Sequence, residues 1–259
     1  MNVFLTTFGQ IPQPALDEIS GLIDASYRTL GEPMGGSIEV AVFERAEEEQ
    51  FFATHDALEG KPRIRIYLDK LRELPKSVGL AGIRRQVVHS IRHGSLRFYL
   101  IKFPDVLQKA IGEYRLTYDF GNSLLYSIGM AAKEYEVTKF LDDRGFVDEQ
   151  VVYARYMLEP DPEETFSWRL ASANKPQQVL YLAALLRDIS CAVPLVHDEK
   201  GSDEIRQYIE SKLAHLSPDA RSRLQDIIYE KFGLLGVDTL ENINLVAKWV
   251  TEEILAHTL

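Results

Sequence analysis

The chain has 259 residues, 46% of them hydrophobic and 26% charged, and its 29 basic and 39 acidic side chains give a net charge of −10. Such a chain forms one large domain or two modest ones and buries its core without help from disulfides or metals; a disordered chain, a collagen and a coiled-coil rod are excluded. Its single cysteine, Cys191, excludes an internal disulfide and a cysteine-rich zinc ribbon, and suits a cytoplasmic location.

The first residues lack a basic run, and Asp17 and Glu18 arrive early, so a signal peptide is not expected. Pro12 and Pro14 precede a predicted helix from Ala15 to about Leu30, with Leu16, Ile19, Ile23 and Tyr27 at spacings of three and four. Gly31, Pro33, Gly35 and Gly36 stop it. SIEVAVFE then alternates as a half-buried strand, and RIRIYL does the same with Ile64, Ile66 and Leu68 on one face and Arg63, Arg65 and Tyr67 on the other. The polar face marks RIRIYL as an edge strand or one with a single exposed side. Residues 79–94 read as a helix striped by Leu80, Ile83, Val87 and Ile91.

Further helices are predicted over 105–112, 124–141 and 148–158. The stretch EPDPEE, 159–164, holds two prolines and four carboxylates and is the best linker candidate. Beyond it, 175–193, 203–215, 218–232 and 240–256 show helical periods, with Ser202 and Ser217 as N-cap candidates. The longest apolar run, QQVLYLAALLRDISCAVPLV, is broken by Arg187 and Asp188 and falls short of the roughly 20 apolar residues of a membrane span. It reads as a buried helix, and no membrane partner is expected.

Charge is uneven. Residues 1–60 hold 11 acidic and 2 basic residues, whereas 61–109 hold 12 basic and 3 acidic. Mutual neutralisation on folding is the expected account of this, with a polyanion-binding face over 61–109 as the alternative. No tract interleaves basic with aromatic residues, so nucleic acid is not a favoured partner.

The chemistry-bearing feature is QVVHSIRHGS. His89 and His93 are four residues apart on a predicted helix, share a face, and can reach one zinc ion. Glu134 shares a face with Val137 and Leu141, so it points with the apolar stripe toward the interior and is a candidate third ligand. Glu136 lies on another face and reads as solvated. The alternative is a pair of hydrogen-bonded core histidines, with Glu134 paired to Arg92 or Arg97 and no metal.

The passage RIRIYLDKLRELPKSVGLAGIRRQVVHSIRHG resembles the gluzincin zinc metallopeptidases of the zincin superfamily, which place a strand before a helix carrying His-Glu-x-x-His. The resemblance covers about 110 residues between Ala15 and Phe146. It implies a zincin-like α+β domain with a small mixed sheet over 1–158, then a helical region over 159–259. It makes His89 and His93 metal ligands and, through Glu134-Tyr135-Glu136-Val137-Thr138, makes Glu134 the third; the cofactor is zinc if the site is retained, and none otherwise. Ser90 stands where the family has its catalytic glutamate, and a serine hydroxyl cannot relay the proton of a metal-bound water near neutral pH. Thr138 stands where the family has an aspartate. The implied function is a non-catalytic relative that binds a metal or a peptide, with RIRIYL as a surface onto which a peptide strand adds. Two alternatives stand beside it: an active metal-dependent peptidase with its base elsewhere, and a metal-free regulatory or protein-binding module.

Overall fold

A computed structural model describes residues 1–197 and 202–259. The elements, in chain order, are β1 (Asn2–Phe8), α1 (Gln13–Leu30), β2 (Ser37–Phe43), β3 (Ala53–Asp56), β4 (Arg63–Tyr67), α2 (Leu68–Arg72), α3 (Lys76–Arg92), α4 (Asp105–Glu113), α5 (Tyr118–Asp142), α6 (Val147–Leu158), α7 (Glu164–Ser172), α8 (Lys175–Ser190), α9 (Ser202–Leu213), α10 (Pro218–Gln225), α11 (Thr239–Trp249) and α12 (Ala256–Thr258). The fold is α+β, with a small mixed sheet on the N-terminal side and a helical C-terminal region. The described chain divides into two compact units, Met1–Ile101 with Asp143–Tyr153, and Lys102–Asp142 with Ala154–Leu259.

In the first unit the strand order is β1-β2-β4-β3. β1, β2 and β4 run parallel, and β3 pairs antiparallel with β4. Parallel neighbours need a crossover, and α1 supplies the one between β1 and β2. β3 turns back into β4 through Gly60, whose φ of +81 is costly for any residue with a Cβ. One sheet face is apolar and covered: Ile38, Val40, Val42, Ile64 and Ile66 pack against Ile19, Ile23 and Tyr27 of α1 and Ile83 and Val87 of α3. The other face carries Phe4, Phe8, Phe43, Arg63, Arg65 and Tyr67.

β4 is therefore interior, flanked on both sides by β2 and β3. Its alternation reflects one open face and not an open edge. That corrects the expectation that RIRIYL receives an added peptide strand, because its backbone groups are already paired. The basic block is also neutralised locally. Residues 1–101 hold 12 basic and 13 acidic residues, and Asp56 takes Arg65 at 2.6 Å and Arg63 at 3.3 Å.

In the second unit α5 is buried around most of its circumference and packs along α8, while α11 lies against another part of it. Tyr135, Phe232 and Trp249 form an aromatic cluster, with ring centroids 5.4 and 6.1 Å apart. The run at 177–196 is helical to Ser190, with Val179, Leu182, Ala183, Leu185, Leu186 and Ile189 buried, and is followed by a short 3-10 turn. Ser217 caps α10 by accepting from the Ala220 amide, while Ser202 is the first residue of α9. Two predicted helices are interrupted by π-helical turns, at Asp226–Lys231 and Val250–Leu255. Among the described residues, no helix is long and apolar enough to cross a membrane.

Candidate functional site

α3 carries the histidines on its last turn. His89 lies inside the helix and His93 is its C-cap, with the His93 amide donating to the His89 carbonyl at 2.7 Å. The chain then bends away at Gly94, where a Cβ would lie 2.2 Å from the Ser90 carbonyl oxygen. Glycine is therefore required immediately after the second histidine, and it closes the turn that orients that ring.

The two imidazoles are fully buried. Their Nδ1 atoms stand 3.1 Å apart, so one donates to the other and the neutral pair holds one proton between them. A third histidine, His55 of β3, lies over His89 with ring centroids 3.7 Å apart and planes 12° from parallel. Its Nδ1 donates to Gln86 Oε1 at 2.7 Å. Phe98 meets His93 edge to face at 5.7 Å. No sequence pattern marks His55, because β3 lies more than thirty residues upstream and only its pairing with β4 brings it over α3.

Two nitrogen ligands on a tetrahedral zinc, each bonded at about 2.0–2.1 Å, stand roughly 3.3 Å apart. The Nδ1 pair meets that spacing, and a metal there requires loss of the shared proton. His55 does not add a third corner, since stacked parallel rings send their in-plane lone pairs alongside each other. Among the described residues, no group of three or more His, Cys, Asp or Glu side chains is arranged to hold a metal ion. The imidazole pair fits two ligand positions.

Ser90 is 2% exposed. Its hydroxyl donates to the Val87 carbonyl at 2.6 Å and lies 2.7 Å from the Tyr27 hydroxyl. With its own proton committed to Val87, Ser90 accepts from Tyr27, and the chain Tyr27–Ser90–Val87 fastens α1 to α3. Burial raises the Tyr27 pKa well above the usual phenol range, so the hydroxyl keeps the proton it donates.

The remaining sequence candidates lie on α5, in the second unit. Glu134 is half-buried. Glu136, expected to be solvated, is 6% exposed and accepts from Thr239 Oγ1 at 2.6 Å and Asn242 Nδ2 at 2.7 Å. It anchors the start of α11. Thr138 donates to the Cys191 carbonyl at 2.7 Å. Cys191 is itself buried, with its thiol donating to the Asp188 carbonyl at 3.3 Å, as a structural thiol would.

Lys133 is 3% exposed. Desolvation lowers its pKa from 10.5 to about 8, opposed by the nearby Glu134 and Glu136 carboxylates. Below pH 8 the ammonium is charged in both the folded and unfolded states. Between about 8 and 10.5 the unfolded chain holds a proton that the folded chain lacks, so stability rises with pH by at most about 3 kcal/mol. Tyr181, pushed up to about 12 chiefly by burial, acts the other way: its unfolded phenol ionises first, and stability falls above about pH 10. Urea unfolding across this range is expected to show stability rising to near pH 10 and then falling. Lys133→Met should flatten the rise and leave the fall; a rise that persists in the variant would assign it to another group.

Comparison with known proteins returns no match: no family model, no curated protein and no solved structure is similar to this chain.

Proposed function

We propose that this protein is a non-catalytic relative of the zinc metallopeptidases, which keeps the paired histidines of their active-site helix and binds a peptide or protein partner without cleaving it. The observation that carries this reading is the state of Ser90. At the position where the family's glutamate handles the proton of the attacking water, a buried hydroxyl joins Tyr27 to the helix backbone. It neither titrates near pH 7 nor has a free proton-accepting role. The order of helix, strands and histidine-bearing helix supports the resemblance, as does the His89–His93 spacing, which suits two ligands of one ion. The resemblance assigns the third ligand to Glu134.

A metal-free module is the second reading, favoured by the stacking of His55 on His89 and the proton shared by His89 and His93. Both readings predict no peptidase activity. Hydrolysis of a mixed peptide library should be absent with and without zinc, and chelator-sensitive cleavage lost in His89→Ala would overturn the proposal. Elemental analysis of tag-free protein separates the two readings. Stoichiometric zinc, lost in His89→Ala and Glu134→Ala, with a melting temperature lowered by chelator, supports the metal-retaining form. Zinc-free protein with a chelator-independent melting curve supports the module.

A further inference from the structure

β1 is an outer strand of the sheet, and its sequence, NVFLTTF, contains no charge and no proline. Phe4 is 55% exposed, Leu5 38% and Phe8 48%. Outer strands that stay in water usually carry a lysine, a proline or a bulge to prevent pairing with other chains, and β1 has none of these.

A second feature specifies what pairs with it. On the open sheet face Phe8, Phe43 and Tyr67 stand side by side across three strands. Phe8 and Phe43 have ring centroids 4.5 Å apart and planes 8° from parallel; Phe43 and Tyr67 are 5.1 Å apart. These spacings match the interval between adjacent strands, about 4.8 Å. The row ends at the outward face of Phe8, beyond which, among the described residues, no further strand of this sheet lies.

We propose that β1 pairs antiparallel with β1 of a second copy about a twofold axis through Thr6, making one continuous eight-stranded sheet. In that register Thr6 faces its own counterpart and Phe8 faces Phe4 of the other copy. Directly opposed residues place their side chains on one face with Cβ atoms about 4.5–5.5 Å apart. The other copy's Phe4 then continues the row of rings onto the uncovered face of Phe8, and the twofold repeats the contact. Centring the axis on Leu5 instead would set Phe8 against Asn2 and leave the row uncapped. The twofold also requires a strand that does not repel itself, which an uncharged β1 satisfies despite the net charge of −10 on each copy.

The test is the mass of the full chain by sedimentation equilibrium at micromolar concentrations, for wild type, Thr6→Lys, Thr6→Glu and an equimolar mixture of the two variants. Thr6 is exposed, so both variants should keep the wild-type circular dichroism, and any fall in their melting temperature should be the part that dimerisation contributes, disappearing when all three proteins are diluted to monomers. Wild type is expected at twice the mass of one chain. Each variant alone should dissociate at least about tenfold more readily, because like charges meet at the axis. The mixture should recover the dimer through a lysine–glutamate pair. A monomeric wild type would overturn the proposal, as would a dimer that both variants retain, which would be built on another surface. A mixture no tighter than the separate variants would overturn the Thr6-centred register.

Discussion

Ser90→Glu is expected to lower the stability of the protein by about 3–5 kcal/mol and its melting temperature by roughly 10 °C. Ser90 is almost fully buried, with its hydroxyl between Tyr27 and the Val87 carbonyl. A glutamate replaces the hydroxyl with a further methylene and a charged carboxylate in a filled space beside a phenol. Overpacking contributes about 1–3 kcal/mol, and desolvation of the carboxylate contributes as much again. Ser90→Ala is the control. It deprives the Tyr27 hydroxyl of its acceptor without adding volume and should cost about 1–2 kcal/mol. The glutamate deficit should shrink on acidification, because burial raises the folded carboxyl's pKa and the folded state then favours the neutral acid. If the proposed relationship to the zinc metallopeptidases holds, Ser90→Glu is therefore not expected to yield a peptidase. A Ser90→Glu protein as stable as wild type would show that this position has room and water.

The helices were legible where one face is apolar and the other solvated. Ile19, Ile23 and Tyr27 appear in the sequence as a stripe and in the structure as core, and the same holds for Ile83 and Val87. β1 was not legible because it lies at the sheet edge with most of its residues exposed, so NVFLTTF shows no period of two. β3 has only four residues, too few for any periodicity. Glu136 was misplaced for a related reason. A helical wheel assigns a charged residue off the apolar stripe to solvent, but α5 is buried on nearly every side, with Lys133 and the four consecutive residues Tyr135, Glu136, Val137 and Thr138 all buried. The His89–His93 pairing followed directly from the helical repeat. The stacking of His55 on it depends on sheet register, and the hydrogen bonds of Ser90 depend on where α1 crosses α3. Neither is encoded in local spacing.

Arg85→Ala is expected to cost about 3–5 kcal/mol. Arg85 is 1% exposed, donates from Nη1 to Gln150 Oε1 at 2.7 Å, and sets its guanidinium 4.7 Å over the Tyr153 ring. Its neighbour Arg84 grips the same segment from a wetter position. It pairs with both oxygens of Glu149 at 2.8 and 3.2 Å, reaches Ser26 Oγ at 3.0 Å, and lies 4.4 Å over Phe146. Together the two arginines hold Asp143–Tyr153 in the first unit, although 41 residues of the second unit precede that segment in the chain. The Glu149 side chain is 36% exposed, so its ion pair with Arg84 is partly screened and Arg84→Ala should cost only about 1 kcal/mol. Arg85→Ala removes a large buried side chain, leaves the Gln150 oxygen without its donor and opens a cavity beside Tyr153. Arg85→Lys should recover little, because an ammonium has neither the planar face that covers the ring nor the forked donors. Hydrogen exchange locates the damage: amides of 147–153 should exchange faster in Arg85→Ala, while those of β2 and β4 keep their protection relative to global unfolding. Equal costs for the two alanine variants would refute the division of roles, and unchanged exchange over 147–153 would show that packing elsewhere, and not Arg85, retains this segment.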